Sequence, residues 1–410
     1  MLESAMRWSP EMGQPSLRTI EIRGLIKHDV THFVDMSTTR WGFQYTLHKR
    51  RLLETINRRD SGVEQALSPF MLEMAELDLH AGLLETCDTH VVDIQSVRLD
   101  LAHEESFGVV PILQLEGKEG RHHTVPMGLM SLLEAHAIAN EYLSMLSDMQ
   151  WVTDRIRLRL DMQEFERRFD AMLAAPDGLL WSAPLHLARI LLPWLRWEEQ
   201  LRMVDALVRF ALDAPDLALV RMAEGYRRRF DNPALGDCVC SELRRGRQLP
   251  VVYVMSLIAI HQLFEESDAA GRDALLLRMR KLPHSTVPYL LTTAFGVDPY
   301  ALDPAWFDEV RAQLIAAEPM GPEQRILQKS LEVNAPLVAA RSAGELPFQR
   351  LALMDMVLDD GAIVRPPRRI DLDVWRHVDE SVAAMARIGA IHRMHRRMHV
   401  PASAAVALPA

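Results

Sequence analysis

Residues 201–211 read Leu201-Arg-Met-Val-Asp-Ala-Leu-Val-Arg-Phe-Ala211. Leu201, Val204, Leu207, Val208 and Ala211 recur at steps of three and four, with Arg202, Asp205 and Arg209 between them. That period is the 3.6-residue turn of an α-helix, so the segment predicts a helix packed along one side. From Trp151 onward helical patterns follow one another with short breaks. Asp303-Pro304 offers an N-cap residue and a first-turn proline ahead of Trp306, Phe307, Val310 and Leu314. Gly246 after Arg244-Arg245, and Gly321-Pro322, act as punctuation between helices. Segments beginning at Pro184 and Pro250 share an apolar helix, a charged break and a second amphipathic helix. They lack a fixed-period residue signature, so a helical bundle and a degenerate α-solenoid of helical hairpins both remain open.

Working toward the N-terminus, the pattern becomes mixed. Val91 to Leu101 and Val109 to Leu115 are rich in β-branched residues and flank the acidic loop His103-Glu104-Glu105-Ser106. Glu116-Gly-Lys-Glu-Gly120 then turns the chain into His123-Thr-Val-Pro126, which predicts a three-stranded meander. Leu129 to about Met145 predicts a helix, as does Val63 to Leu84. Thr19-Ile-Glu-Ile-Arg23 alternates, and Trp41, Phe43 and Tyr45 recur at every second position, so both stretches predict half-buried strands. The expected fold class is therefore mainly α with a smaller α+β N-terminal domain. The expected division is 1–149 for that domain, 150–370 for the helical array, and 371–410 for a C-terminal helix with a basic end and a flexible tail.

Composition narrows the functional classes. With 49% apolar and 25% charged residues in 410, the chain has the balance of a globular protein large enough for two domains. Its N-terminus shows no basic-then-apolar signal pattern, and no stretch reaches about 18 uncharged apolar residues. Pro250 to Ile260 is therefore expected to be a buried core helix, with no membrane span. Three cysteines, Cys87, Cys238 and Cys240, do not make a disulfide framework, which points to a reducing, cytoplasmic setting. A formal charge of −10 disfavours nucleic acid as a partner. Arginine in excess of lysine and abundant alanine are usages of GC-rich bacterial genomes.

Several groups invite chemistry. His122-His123 and Glu134-Ala-His136 flank the Val125-Pro126 turn, where they are candidates for acid–base or metal roles. The stretch Val97 to Leu143, strand, turn, strand ending in Val-Pro and then a Glu-Ala-His-Ala-Ile-Ala helix, loosely resembles the core of the bifunctional nuclease family. The resemblance covers a small part of the chain and rests on common apolar positions; it implies Glu134, His136 and His122 as the residues to test. Arg387, Arg393, Arg396 and Arg397, with His392, His395 and His399, lie in a segment without acidic residues, suited to an acidic partner or to the carbonyl end of a helix. Arg227-Arg-Arg229 and Arg244-Arg-Gly-Arg247 are further basic helix ends. Cys238-Val-Cys240 lacks the second cysteine pair of a zinc site, and no metal or cofactor is expected.

Familiar catalytic signatures are missing from the sequence. Phe107 stands where a zincin helix opening at His103-Glu104 needs histidine, and Gly117-Lys118 lacks the rest of a phosphate loop. The leading expectation is a noncatalytic protein-interaction module, a regulator or adaptor using a helical surface against a protein partner. The rival is a hydrolase or nuclease with its site in the N-terminal domain. A third possibility is phosphate or nucleic-acid binding through the basic C-terminal helix.

Overall fold

The computed structural model describes Ala5, residues 8–58, Gly62, Ala66, Leu67, 94–104, 108–117, 122–175, 178–227, 232–245, 248–296, 304–317, 322–339, 351–357, 363–366 and 368–370, with Ala386 and Ala390. Two helices open the fold, α1 (Leu17–Thr38) and α2 (Arg40–Arg58). The meander β1 (Ile94–Glu104), β2 (Gly108–Gly117) and β3 (His122–Pro126) leads into α3 (Leu129–Met149). The helical array follows as α4 (Arg155–Ala174), α5 (Leu179–Leu191), α6 (Trp197–Asp213), α7 (Asp216–Arg227), α8 (Pro233–Arg245), α9 (Leu249–Glu266), α10 (Ala269–Lys281), α11 (Pro283–Phe295), α12 (Pro304–Ala316) and α13 (Pro322–Ala339). A two-residue pair, β4 (Met356–Val357) and β5 (Ile363–Val364), completes it. The fold is mainly α with a small antiparallel sheet, as the sequence predicts.

The stretches 19–23 and 41–45 are helical, and the strand expectation there is corrected. Ser16 caps α1, its Oγ accepting from the Thr19 amide at 3.0 Å. Ile20, Gly24, Thr31, Val34 and Thr38 are buried at helical spacing, but so is Ile22. Neighbours explain this: Ile20 joins the main core, whereas Val30 and Val34 pack with Leu351. A helix covered on two sides buries residues two apart, and over five positions that imitates a strand. In α2, Trp41 and Tyr45 share a face with ring centroids 5.4 Å apart, while Phe43 turns to Val310, Leu314, Leu327 and Leu331.

The meander is antiparallel in the order β1-β2-β3, with Leu99 opposite Leu113 and Leu115 opposite His123. Val109, Leu113 and Leu115 alternate into the core, where the sheet meets α5, α8 and α9. Gly108 starts β2 at φ +79°, and a Cβ there would stand 2.6 Å from the buried carboxyl carbon of Glu242 on α8. Gly108→Ala is therefore expected to cost about 1–3 kcal/mol, read as a fall in thermal midpoint; an unchanged midpoint would show that the strand start relaxes freely.

Helix α3 runs antiparallel to α1. Arg23 pairs with Asp148 at 2.6 Å near one end and Asp35 meets His136 at 2.8 Å near the other, while Gly24 lets Met145 lie against the α1 backbone. The opposite side of α3 packs on α5 and α6. One buried cluster thereby includes Ile20, Leu113, Leu132, Leu187, Leu207, Val254 and Leu291, continuing across Met149. Helix α9 is long and apolar enough to cross a membrane by length and composition, but 67% of it is buried inside the protein, which makes it the expected core helix. Its Tyr253 is fully buried, with the hydroxyl donating to the Pro184 carbonyl at 2.9 Å.

Candidate functional site

The polar residues gathered between α1, α3, α6 and α11 form the most elaborate charged assembly among the described residues. His136 lies at its centre, only 2% exposed. Its Nδ1 faces Asp35 Oδ2 at 2.8 Å and its Nε2 faces Asp205 Oδ1 at 2.7 Å. Ionised carboxylates only accept hydrogen bonds, so both ring nitrogens carry hydrogen and the side chain is an imidazolium. Burial opposes that charge, but the field of Asp35 and the hydrogen bonds to Asp205 and Asp35 outweigh it and raise the His136 pKa to about 9.

The network extends in both directions. Asp205 accepts from Asn140 at 2.8 Å, and its second oxygen meets His284 Nε2 at 2.8 Å. Burial acts against the Asp205 charge, yet His284 and His136 hold its pKa well below the ordinary carboxylate range. Asp35, completely buried, also faces Arg209 at 3.5 Å, and Arg209 donates to Thr38 Oγ1 at 2.8 Å. Asp213 accepts from the backbone amide of Arg40 at 3.0 Å, which anchors the α1–α2 junction to the end of α6. Periodicity accounts for the placement: Asp205, Arg209 and Asp213 are successive fourth residues on one face of α6.

A second cluster lies farther along the α1–α3 seam. His28 and His32, one turn apart on α1, face Glu134 on α3, each from Nε2 at 3.4 Å. The two Nε2 atoms are 3.3 Å apart, and His28 Nδ1 is 3.1 Å from Glu141 Oε2. Burial works against both charges here as well. Hydrogen bonds to Glu134 and Glu141 nevertheless lift His28 to about 9, and those from His28 and His32 lower Glu134 to about 2.

These positions decide how the sequence candidates are grouped. Glu134 and His136 sit two residues apart, near opposite sides of α3, and engage different partners: His28 and His32 for one, Asp35 and Asp205 for the other. His122 and His123 occupy β3, in register with Glu116 and Leu115 of β2, and His123 is buried. Arg387, Arg393, Arg396 and Arg397 lie outside the described residues, as do Cys87 and nearly all of the helix expected over 63–84. Of the cysteine pair, Cys240 is buried and its thiol meets the Ala223 carbonyl at 2.9 Å. Arg227 pairs with Asp237 at 2.9 Å, and Arg245 with Glu242 at 2.8 Å, so these basic helix ends are at least partly occupied by acids.

Comparisons add no further constraint. The chain matches no family model, no curated protein and no solved structure.

Asp35, Asp205, His284, His28 and His32 are site residues that sequence reasoning missed. The signal for one pair was local: His28-x-x-x-His32 shows its meaning once 17–38 is taken as a helix. Asp205 stood on the polar side of the α6 stripe, where nothing distinguishes a solvated carboxylate from one that holds a buried histidine.

Proposed function

We propose that this protein is a noncatalytic helical interaction module, and that α4 presents the surface on which a protein partner docks. The observation that carries this reading is the outer face of α4. Ile156 is 75% exposed and Leu160 60%, one turn apart on the same side. Arg155 and Arg159, both exposed, flank them, and exposed Trp151 immediately precedes the helix. Large apolar side chains standing in water beside two cations suit an amphipathic partner segment with apolar anchors and acidic flanks.

The surroundings of His136 support the noncatalytic side of the proposal. Acid–base catalysis needs a ring nitrogen that can face a substrate, and both nitrogens of this buried ring already face carboxylates, at 2.8 and 2.7 Å. The residue that invited a hydrolase or nuclease reading thus serves as a buried cation joining helices.

Affinity capture from source cells, with full-length wild type beside Ile156→Glu/Leu160→Glu, tests the reading. A partner retained by wild type and lost by a variant of unchanged thermal midpoint is the expected result. Identical captures from both proteins, or none from either, would remove α4 as the docking surface.

A further inference from the structure

We infer that His28, His32 and Glu134 form a binding site for one divalent transition metal ion of the zinc class, with Glu141 orienting His28. This site shares no residue with the proposed docking face and does not depend on it. Among the described residues it is the one group of three such side chains whose ligand atoms converge, all within 4.8 Å of one another.

The nitrogen–nitrogen separation matches the coordination geometry. A tetrahedral ion with bonds of roughly 2.0–2.1 Å to nitrogen and oxygen sets its ligands roughly 3.3 Å apart. The His28 and His32 Nε2 atoms are 3.3 Å apart; His28 Nε2 lies 3.4 Å from Glu134 Oε2 and His32 Nε2 lies 3.4 Å from Glu134 Oε1, so the carboxylate spans the pair and a turn of it brings one oxygen toward both. An ion between them needs little rearrangement of the helices. The two rings meet edge to face at 77°, with centroids 5.0 Å apart, so the nitrogens converge without stacking.

Glu141 supplies the independent support. Metal-binding histidines donate the hydrogen of their other ring nitrogen to a carboxylate, which fixes the tautomer and raises ligand basicity. His28 Nδ1 lies 3.1 Å from Glu141 Oε2, so when a metal ion displaces the Nε2 proton to solvent the ring keeps its other hydrogen on Glu141 and presents the Nε2 lone pair beside His32 and Glu134. Glu134 and Glu141 are seven residues apart, two turns of α3, and thus both reach His28 from one face. The side chains of His28, His32 and Glu134 remain 22%, 32% and 27% exposed, which leaves an ion a path from solvent. Two histidines and one carboxylate leave a fourth position for water.

The test is titration of tag-free, chelator-dialysed full-length protein with Co²⁺, read by visible absorption, followed by Zn²⁺ competition and calorimetry. One equivalent per chain with tetrahedral Co²⁺ bands is expected, displaced by Zn²⁺. His32→Ala and Glu134→Gln should each abolish the bands while retaining the wild-type circular dichroism spectrum. Glu141→Gln should keep the bands but weaken binding by about 10–100-fold. A wild type without the bands would overturn the site. So would bands unchanged in His32→Ala and Glu134→Gln, since the ion would then sit elsewhere, for instance on His392, His395 and His399.

Discussion

Asp35→Ala is expected to destabilise the fold by about 3–5 kcal/mol, measured by chemical denaturation near neutral pH. Asp35 is completely buried and bonded to His136 at 2.8 Å, with Arg209 at 3.5 Å. Removing its carboxylate leaves the buried His136 with Asp205 alone and Arg209 with Asp213 alone, and the lost compensation in a buried site is the cost. The companion variant separates this cause from loss of packing. Asp35→Leu combined with His136→Leu removes the acid and the central cation together, and should cost less than Asp35→Ala alone. Arg209 keeps Asp213 at 3.6 Å in that double variant. A loss under about 1 kcal/mol for the single variant would mean that the network is wetter than the burial of Asp35 implies.

Cutting the chain after Met149 is expected to leave two fragments, neither of which unfolds cooperatively. Helix α3 ends at Met149, and its buried residues include Leu132, Ala135 and Ala139 in the same cluster as Leu187, Leu207 and Phe210 from the other fragment. The charged network crosses the cut twice, through His136 to Asp205 and Asp35 to Arg209. A fragment ending at 149 would expose the apolar face of α3 and strand an imidazolium, so it should retain helix in far-ultraviolet circular dichroism but lose fixed packing. The two fragments expressed together should restore a cooperative transition. Cooperative melting of either fragment alone would instead establish that fragment as an independent unit.

Both predictions rest on contacts of different legibility in the sequence. The meander was legible because β2 has its inward face at alternate positions, Val109, Leu113 and Leu115, and turns at both ends. Helices α3, α6 and α9 were legible because one-sided or wholly apolar burial leaves a clean period. Helices α1 and α2 were not, since their residues answer to more than one neighbour. Ile20 and Ile22 are both buried, and Phe43 meets α12 and α13, so a five-residue window shows alternation instead of a turn.

The candidate sites divide along the same line. Glu134 and His136 stood out in the sequence, but as one pair; the helix that carries them sends them to different partners. Those partners come from positions 101 residues away for Asp35 and 69 for Asp205, with His284 a further 79 beyond Asp205. What the sequence by itself determined is the part governed by neighbours along the chain: helix periods, the hairpin turns, the apolar length of α9 and the balance of charge. Only the tertiary structure decided that His136 lies between two acids and that His28 and His32 converge on Glu134. Side-chain charge and ligation depend on groups within a few ångströms in space, and an antiparallel helix pair sets those distances through packing that no local pattern encodes.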